Sequence, residues 1–184
     1  PSRQMTICYS YASRQRPERF FEGLDNIVAM SASPDYFIVV KLDDDDTTMN
    51  NDEVKARIAT QYPMVQIKWG SSTSKIHAIN RDLPADGWEI MICMSDDMRF
   101  LTYGFDDFIR AAMPDNLDGF IHCFDDYAKH KVCTVSILGR AYYERDGCIY
   151  QSCYYSMWSD NEATEVSIIR GCYIQVREVK IEHL

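Results

Sequence analysis

Ile90-Met91-Ile92-Cys93-Met94 is a short apolar run with the length and content of a strand buried on both faces. It stops at Ser95-Asp96-Asp97, which sets two carboxylates just outside the carboxyl end of that strand. In an open α/β sheet this rim is where ligands bind. Neighbouring carboxylates repel each other unless a cation or solvent lies between them, and a hard divalent ion such as Mg²⁺ or Mn²⁺ suits such a pair. The bland alternative is an acidic pair that only ends the strand and caps the next segment.

The pattern recurs along the chain. Met5–Tyr9 reads as a first strand, followed by a polar loop over Ser10–Arg16 and by Pro17, which suits the first turn of a helix. Phe20, Phe21, Leu24, Ile27 and Val28 give that helix an apolar face. Tyr36–Leu42 is a second apolar strand and also ends in acid, Asp43-Asp44-Asp45-Asp46. Asn50-Asn51 can cap a short helix carrying Val54 and Ile58, which Pro63 ends. Met64–Trp69 is a third strand, and after the Gly70–Thr73 loop either Thr73 or Ser74 can cap a helix with Ile76, Ile79 and Leu83 inward. Strands alternating with helices predict a mainly parallel central sheet flanked by helices.

The second half reads as mixed. Phe105, Phe108, Ile109 and Ala112 mark a helix ended by Pro114, and Phe120–Phe124 and Val132–Leu138 read as strands. His122 and Asp125-Asp126 fall in a loop region that can face a second substrate. Asp146-Gly147 predicts a tight turn between aromatic-rich segments. Ser159-Asp160-Asn161-Glu162 has the form of a capping box for a helix running through Val166 and Ile169 to Gly171. Tyr173–Val176 and Val179–Ile181 are strand-like, and His183 follows them.

A length of 184 residues suits one α/β domain that buries its own core. The net charge of −9 argues against a phosphate-tracking nucleic-acid binder, although a nucleotide held with a metal remains compatible with it. The seven cysteines are odd in number, lie mostly in apolar runs and form no C-x-x-C pair, which predicts buried thiols in a reducing, cytoplasmic setting. No apolar stretch reaches the length of a membrane span and no signal peptide is visible. The chain opens almost directly on a strand, as expected of a piece of something longer.

Taken in order, these segments resemble the GT-A glycosyltransferases, in particular the inverting family 2. Ser10–Arg16 resembles the loop that begins the nucleotide pocket, and Leu42-Asp43-Asp44-Asp45 the acidic turn that reads the base. Ser74–Asn80 is similar to the helix beneath the nucleotide, and Ser95-Asp96-Asp97 falls where that family carries its metal-binding D-x-D. Trp158–Glu162 falls at the Glu-Asp motif with its catalytic base. Gly171 lies eleven positions after Asp160 and His183 twelve further on, a spacing similar to the family's. Two departures stand out: Ser95 occupies the first aspartate of D-x-D, and Ser159 the glutamate of Glu-Asp.

The resemblance implies a single GT-A domain over 1–184, with a nucleotide-binding half over about 1–100 and an acceptor-side half over about 101–184. It implies an inverting, divalent-metal-dependent transfer of a sugar from a UDP- or GDP-linked donor to a carbohydrate or other hydroxyl acceptor. Asp160 would be the catalytic base, with Glu162 orienting the acceptor and Trp158 lying against it. Asp97 and His183 would hold Mn²⁺ or Mg²⁺. Ser10, Tyr11, Arg14, Asp43, Asp45, Lys75, Asn80, Ser95 and Asp96 would contact the nucleotide-sugar. Acids at a helix N-terminus are stabilising in any protein, so helix chemistry alone also accounts for Asp160 and Glu162. Two alternatives stay open: a degenerate GT-A-like binding domain, and a sugar nucleotidyltransferase, against which the absence of glycine in Ser10–Arg16 counts.

Overall fold

The computed structural model describes residues 4–126, 128 and 131–184. One eight-stranded sheet organises the chain, in the order β3-β2-β1-β4-β7-β6-β8-β5. The strands are β1 (Ile7–Ala12), β2 (Tyr36–Asp43), β3 (Val65–Gly70), β4 (Ile90–Ser95), β5 (Met98–Phe100), β6 (Phe120–Asp125), β7 (Ile137–Gly139) and β8 (Tyr173–His183). The helices are α1 (Pro17–Met30), α2 (Asp52–Gln61), α3 (Lys75–Asn80), α4 (Phe105–Ala112), α5 (Arg140–Glu144) and α6 (Ser159–Ile169).

β3, β2, β1 and β4 are mutually parallel, so their carboxyl ends share one edge. Ala12 lies opposite both Lys41 and Ser95, and Asp43 opposite Gly70. β7 turns antiparallel to β4 and to β6, while β8 is parallel to β6 and antiparallel to β5. The sheet is therefore a parallel half joined to a mixed half.

Helices cover both faces, which is why the strands read as nearly unbroken apolar runs. Ile7, Tyr9 and Tyr11 of β1, with Ile38, Val40 and Leu42 of β2, pack under α1, α2 and α4. Cys8, Val39, Met91 and Cys93 face the other way, toward Ile76 and Ile79 of α3 and Tyr142 of α5. Asn51 caps α2 by accepting from the Val54 N–H (2.9 Å), and Ser74 caps α3 by accepting from the His77 N–H (3.0 Å).

Several sequence expectations need correction. β1 runs three residues beyond Tyr9, because pairing with β2 and β4 on both sides continues to Ala12. α3 stops at Asn80, leaving Leu83 packed beyond its end. The strand expected over Val132–Leu138 shrinks to Ile137–Gly139, and the aromatic segment before Asp146 is the helix α5 rather than a hairpin arm. His122 and Asp125 lie on β6 and are buried, not on a loop.

The expected capping box does not form: Trp158 is the N-cap of α6, while Ser159 lies inside the helix and donates to Ser156 O at 3.2 Å. Thr164 and Ser167 turn inward while Ile169 is exposed, so α6 packs on a face of small residues. Gly171 does end the helix in the left-handed region, at φ 70°.

Candidate functional site

At the shared carboxyl edge of the parallel strands lies a cleft of about 440 Å³. It opens where the chain order reverses, β2 lying on one side of β1 and β4 on the other, the position at which open α/β sheets bind ligands. Its walls come from Ala12 at the end of β1 with Ser13, Arg14 and Arg16 beyond it, Lys41, Asp43 and Asp45 of and after β2, Ser71–Lys75 before and within α3, and Ser95 at the end of β4 with Asp96 and Asp97 beyond it. A smaller cleft of about 150 Å³ shares Ala12, Lys75 and Ser95 with the first, and is lined on its far side by Thr134, Tyr150, Ser156, Ser159, Asp160 and His183. The chain thus brings Asp97 and Asp160, 63 positions apart, to two adjoining hollows.

The rim acids of the large cleft are held by arginines. Arg14 donates to Asp43 at 2.8 Å and grips both carboxylate oxygens of Asp45 at 2.7 and 3.0 Å. These bonds keep the Asp45 carboxyl below its usual range. Arg81, almost buried, lies 3.6 Å from Asp43 and donates to Leu42 O (2.9 Å) and to Ser72 Oγ (3.0 Å). It lies so close to the end of β3 that a Cβ at Gly70 would meet its guanidinium at 2.9 Å. Asp96 accepts from Ser13 Oγ at 2.7 Å and from Arg16 at 3.1 Å.

Asp97 is different. Its Oδ1 is buried and has no hydrogen-bond partner among the described residues, while its Oδ2 lies 3.6 Å from His183 Nε2. Burial pushes this carboxyl up. The bond from Ser95, together with the charges of His183 and Lys75, outweighs burial and leaves it below its ordinary value. β8 delivers His183 here by pairing antiparallel with β5, which sets His183 opposite Met98, and the Leu184 N–H donates to Asp97 O at 2.8 Å.

Beneath the large cleft sits Lys41, 1% exposed, which sequence reasoning passed over. Its ammonium donates to Ser10 Oγ and to Ile79 O, tying β1 and β2 to the last turn of α3. Burial lowers its pKa to about 8. The signal was present: a lone lysine inside the apolar run Phe37–Leu42 must find partners or lose its charge. Arg81 and Ser13, also unassigned from the sequence, carry no comparable mark.

Arg14, Asp43, Asp45, Lys75, Ser95, Asp96 and Asp97 line the large cleft, and Asp160 and His183 the small one. The other expected site residues lie elsewhere. Because β1 extends to Ala12, Tyr11 alternates onto the α1 face, stacks on Phe20 at 5.2 Å between ring centroids and donates to Phe20 O at 3.1 Å. Ser10 is fully buried against Lys41 and Ile79. Asn80 is occupied with the backbone of Ile149 and Tyr150, accepting at 3.0 and 3.3 Å and donating at 2.6 Å.

Glu162 lies two positions after Asp160, about 200° around the helix, and lines a separate depression with Asp146 and Arg170. Trp158 is exposed beside the small cleft, next in sequence to Ser159 and Asp160, which line it.

No protein-family profile matches the chain, and no curated protein matches it in sequence. Solved structures do. The mannosyltransferase PcManGT from Pyrobaculum calidifontis, in complex with GDP-Man and Mn²⁺, gives a TM-score of 0.77 at 18% identity over 97% of this chain and 56% of its own. S. aureus TarS 1-349 gives 0.70 at 11% identity, over 96% and 60%. Its complex with UDP-GlcNAc gives 0.69 at 13%, over 98% and 59%. The chain therefore spans less than two thirds of the length of each. At such identities the likeness is one of backbone architecture. The chain has the GT-A fold that these structures share.

Proposed function

We propose that this domain transfers a sugar from a nucleotide-diphospho-sugar to a hydroxyl acceptor, with inversion at the anomeric carbon. The observation that carries the reading is the pair of adjoining clefts, one holding Asp97, whose Oδ1 has no hydrogen-bond partner among the described residues, and the other holding Asp160. The neighbour structures carry GDP-Man with Mn²⁺, UDP, and UDP-GlcNAc, which favours a donor of this class.

In this reading the large cleft takes the nucleotide. Asp43 accepts from a base N–H, with Arg14 and Arg81 fixing its carboxylate. Asp96, held by Ser13 and Arg16, receives a ribose hydroxyl. Lys75 lines both clefts and so faces the diphosphate at their junction, where its charge offsets that of the leaving group.

The residues present also fit a divalent ion. Among the described residues Asp97 Oδ1 lacks a hydrogen-bond partner and His183 Nε2 lies beside Oδ2, while Mg²⁺ and Mn²⁺ commonly take one or two protein ligands plus substrate phosphates. No group of three His, Cys, Asp or Glu forms a protein-only cage among the described residues, so the diphosphate would complete the shell. Such an ion supplies charge stabilisation to the departing diphosphate.

Asp160 serves as general base from the small cleft. Among the described residues its carboxylate accepts one local bond, from the Asn161 N–H (3.0 Å), which leaves acceptor capacity for a substrate hydroxyl. Trp158 offers its exposed ring to the acceptor. Attack from the small cleft on a sugar whose leaving group lies in the large one inverts the centre.

Calorimetric titration with UDP and with GDP, each with Mn²⁺ and with a chelator, tests the donor half. Binding that requires the metal supports it and identifies the base. A folded protein that binds neither nucleotide would turn the assignment toward a degenerate binding domain, with Ser95 and Ser159 as the first positions to restore.

A further inference from the structure

Behind His183 lies a third acid that the transfer of a sugar does not by itself require. Asp125 is 1% exposed and lines neither cleft, yet its Oδ2 lies 3.8 Å from His183 Nδ1 and accepts the Thr134 hydroxyl. A buried carboxylate is costly unless it is paired and hydrogen-bonded, and the Thr134 hydroxyl, with His183 at ion-pair distance, is among the partners it has.

The backbone arranges this meeting. β6 and β8 run in parallel register from Phe120–Tyr173 to Cys123–Val176, then the register jumps so that Phe124 faces Lys180 and Asp125 faces Ile181. The irregularity takes up Arg177, Glu178 and Val179 on β8, and such bulges re-aim side chains near sites. Without it, Asp125 would lie opposite a residue three positions earlier, and His183 would fall beyond its reach.

We propose that Asp125, supported by Thr134, is a positioning residue that orients His183 and fixes its tautomer. With its proton on Nδ1 facing Asp125, His183 presents the Nε2 lone pair toward Asp97 and the divalent ion that the pair would hold. A carboxylate behind a metal-binding histidine raises the ligand's basicity and sets the ring's angle, and its loss typically costs 10–100-fold in metal affinity. Nothing in the sequence marks Asp125 for this, because its link to His183 spans 58 positions and exists only through the β6–β8 register. The inference rests on the metal reading of Asp97 and His183.

The test is Mn²⁺ affinity, read from the free-Mn²⁺ paramagnetic resonance signal with UDP and, separately, with GDP at saturation. Asp125→Asn keeps the shape and a bond to Thr134 but removes the charge, and is expected to weaken Mn²⁺ affinity by about tenfold or more. Thr134→Val is expected to weaken it less, in the same direction, and carries the test if the first variant does not fold. In a His183→Ala background neither change should weaken Mn²⁺ further, since the effect runs through the imidazole.

An unchanged affinity in Asp125→Asn, or an equal loss with His183 already removed, overturns the inference while leaving the donor site standing. A parent protein that takes up no Mn²⁺ with either nucleotide overturns the metal reading itself, and this inference with it.

Discussion

The two halves of the sheet meet where β4 pairs with β7, and their rims are built from opposite materials. On the parallel half the rim is charged and internally paired: Arg14 with Asp43 and Asp45, Arg81 with Asp43, Arg16 with Asp96. On the mixed half, the loop entering α6 leaves Tyr155, Met157 and Trp158 largely exposed, at 76%, 74% and 66%. Paired charges suit a ligand of fixed charge and hydrogen-bonding pattern, because each group is already oriented before the ligand arrives. Exposed aromatic faces suit a sugar ring, which offers apolar C–H surface and few charges. On the proposed reading, ion pairs preorganise the donor side before the ligand arrives, and the exposed aromatic rim is left for the acceptor to cover.

The largest expected effect breaks chemistry away from binding. Asp160→Asn should lower transfer by about 10²–10⁴-fold, the usual contribution of a positioned general base, and leave UDP or GDP affinity unchanged. A variant that transfers at the parent rate would remove Asp160 from the reaction and dissolve the division of labour between the clefts.

Next is the reverse experiment on the donor side. Asp97→Ala should reduce nucleotide affinity in Mn²⁺ to the level measured with a chelator, since it removes the carboxylate whose Oδ1 lacks a protein partner among the described residues. Affinity that still responds to Mn²⁺ in this variant would place the ion elsewhere.

Lys41, beneath the charged rim, is tested through stability. Its folded pKa of about 8 lies below its ordinary value of 10.5, so between those values the unfolded chain holds the extra proton. Stability from this group therefore rises with pH across that window, as the cost of burying the charge disappears. Cys8 and Cys93, pushed up by burial to about 12 and about 11, act in the opposite direction above pH 9. The measurement is accordingly a difference: denaturant unfolding of the parent minus Lys41→Met, at pH 7.5 and pH 10. The parent should gain on the variant by an amount on the order of 1–3 kcal/mol, a unit of pKa being worth about 1.4 kcal/mol. A flat difference would mean that Lys41 keeps its charge throughout.

How much of this was legible beforehand depends on where the interactions lie. The strand ends at Asp43 and Ser95–Asp97 were readable because an apolar run that stops in acid is a local signal, and both ends line the large cleft. The caps at Asn51 and Ser74 were local in the same sense. Tyr11 and Ser10 misled because strand length is set by pairing on two sides, which one segment does not disclose, and the three added residues put Tyr11 on the α1 face. Glu162 misled because a motif names residues in line, while a helix turns them apart. Arg81 and the link from Asp125 to His183 were invisible, since their partners lie across a crossover and a register shift. Lys41 was visible and unread.

The smallest effect separates fold from function on the acceptor side. Trp158 holds φ at 74°, a left-handed conformation unusual for a bulky residue, at the N-cap of α6 and directly before the segment that carries Asp160. Its side chain is 66% exposed, so little packing offsets the backbone cost. A left-handed non-glycine residue carries a penalty of about 1–2 kcal/mol that glycine escapes, partly offset by the glycine's greater freedom when unfolded. Trp158→Gly is therefore expected to leave thermal stability unchanged or raised by up to about 1 kcal/mol, whereas Trp158→Ala keeps the strain and should not gain. Both should raise KM for the acceptor while leaving KM for the donor alone. If instead Trp158→Gly destabilises the fold and acceptor KM stays put, the ring is packing material, and the exposed rim is not where the acceptor lies.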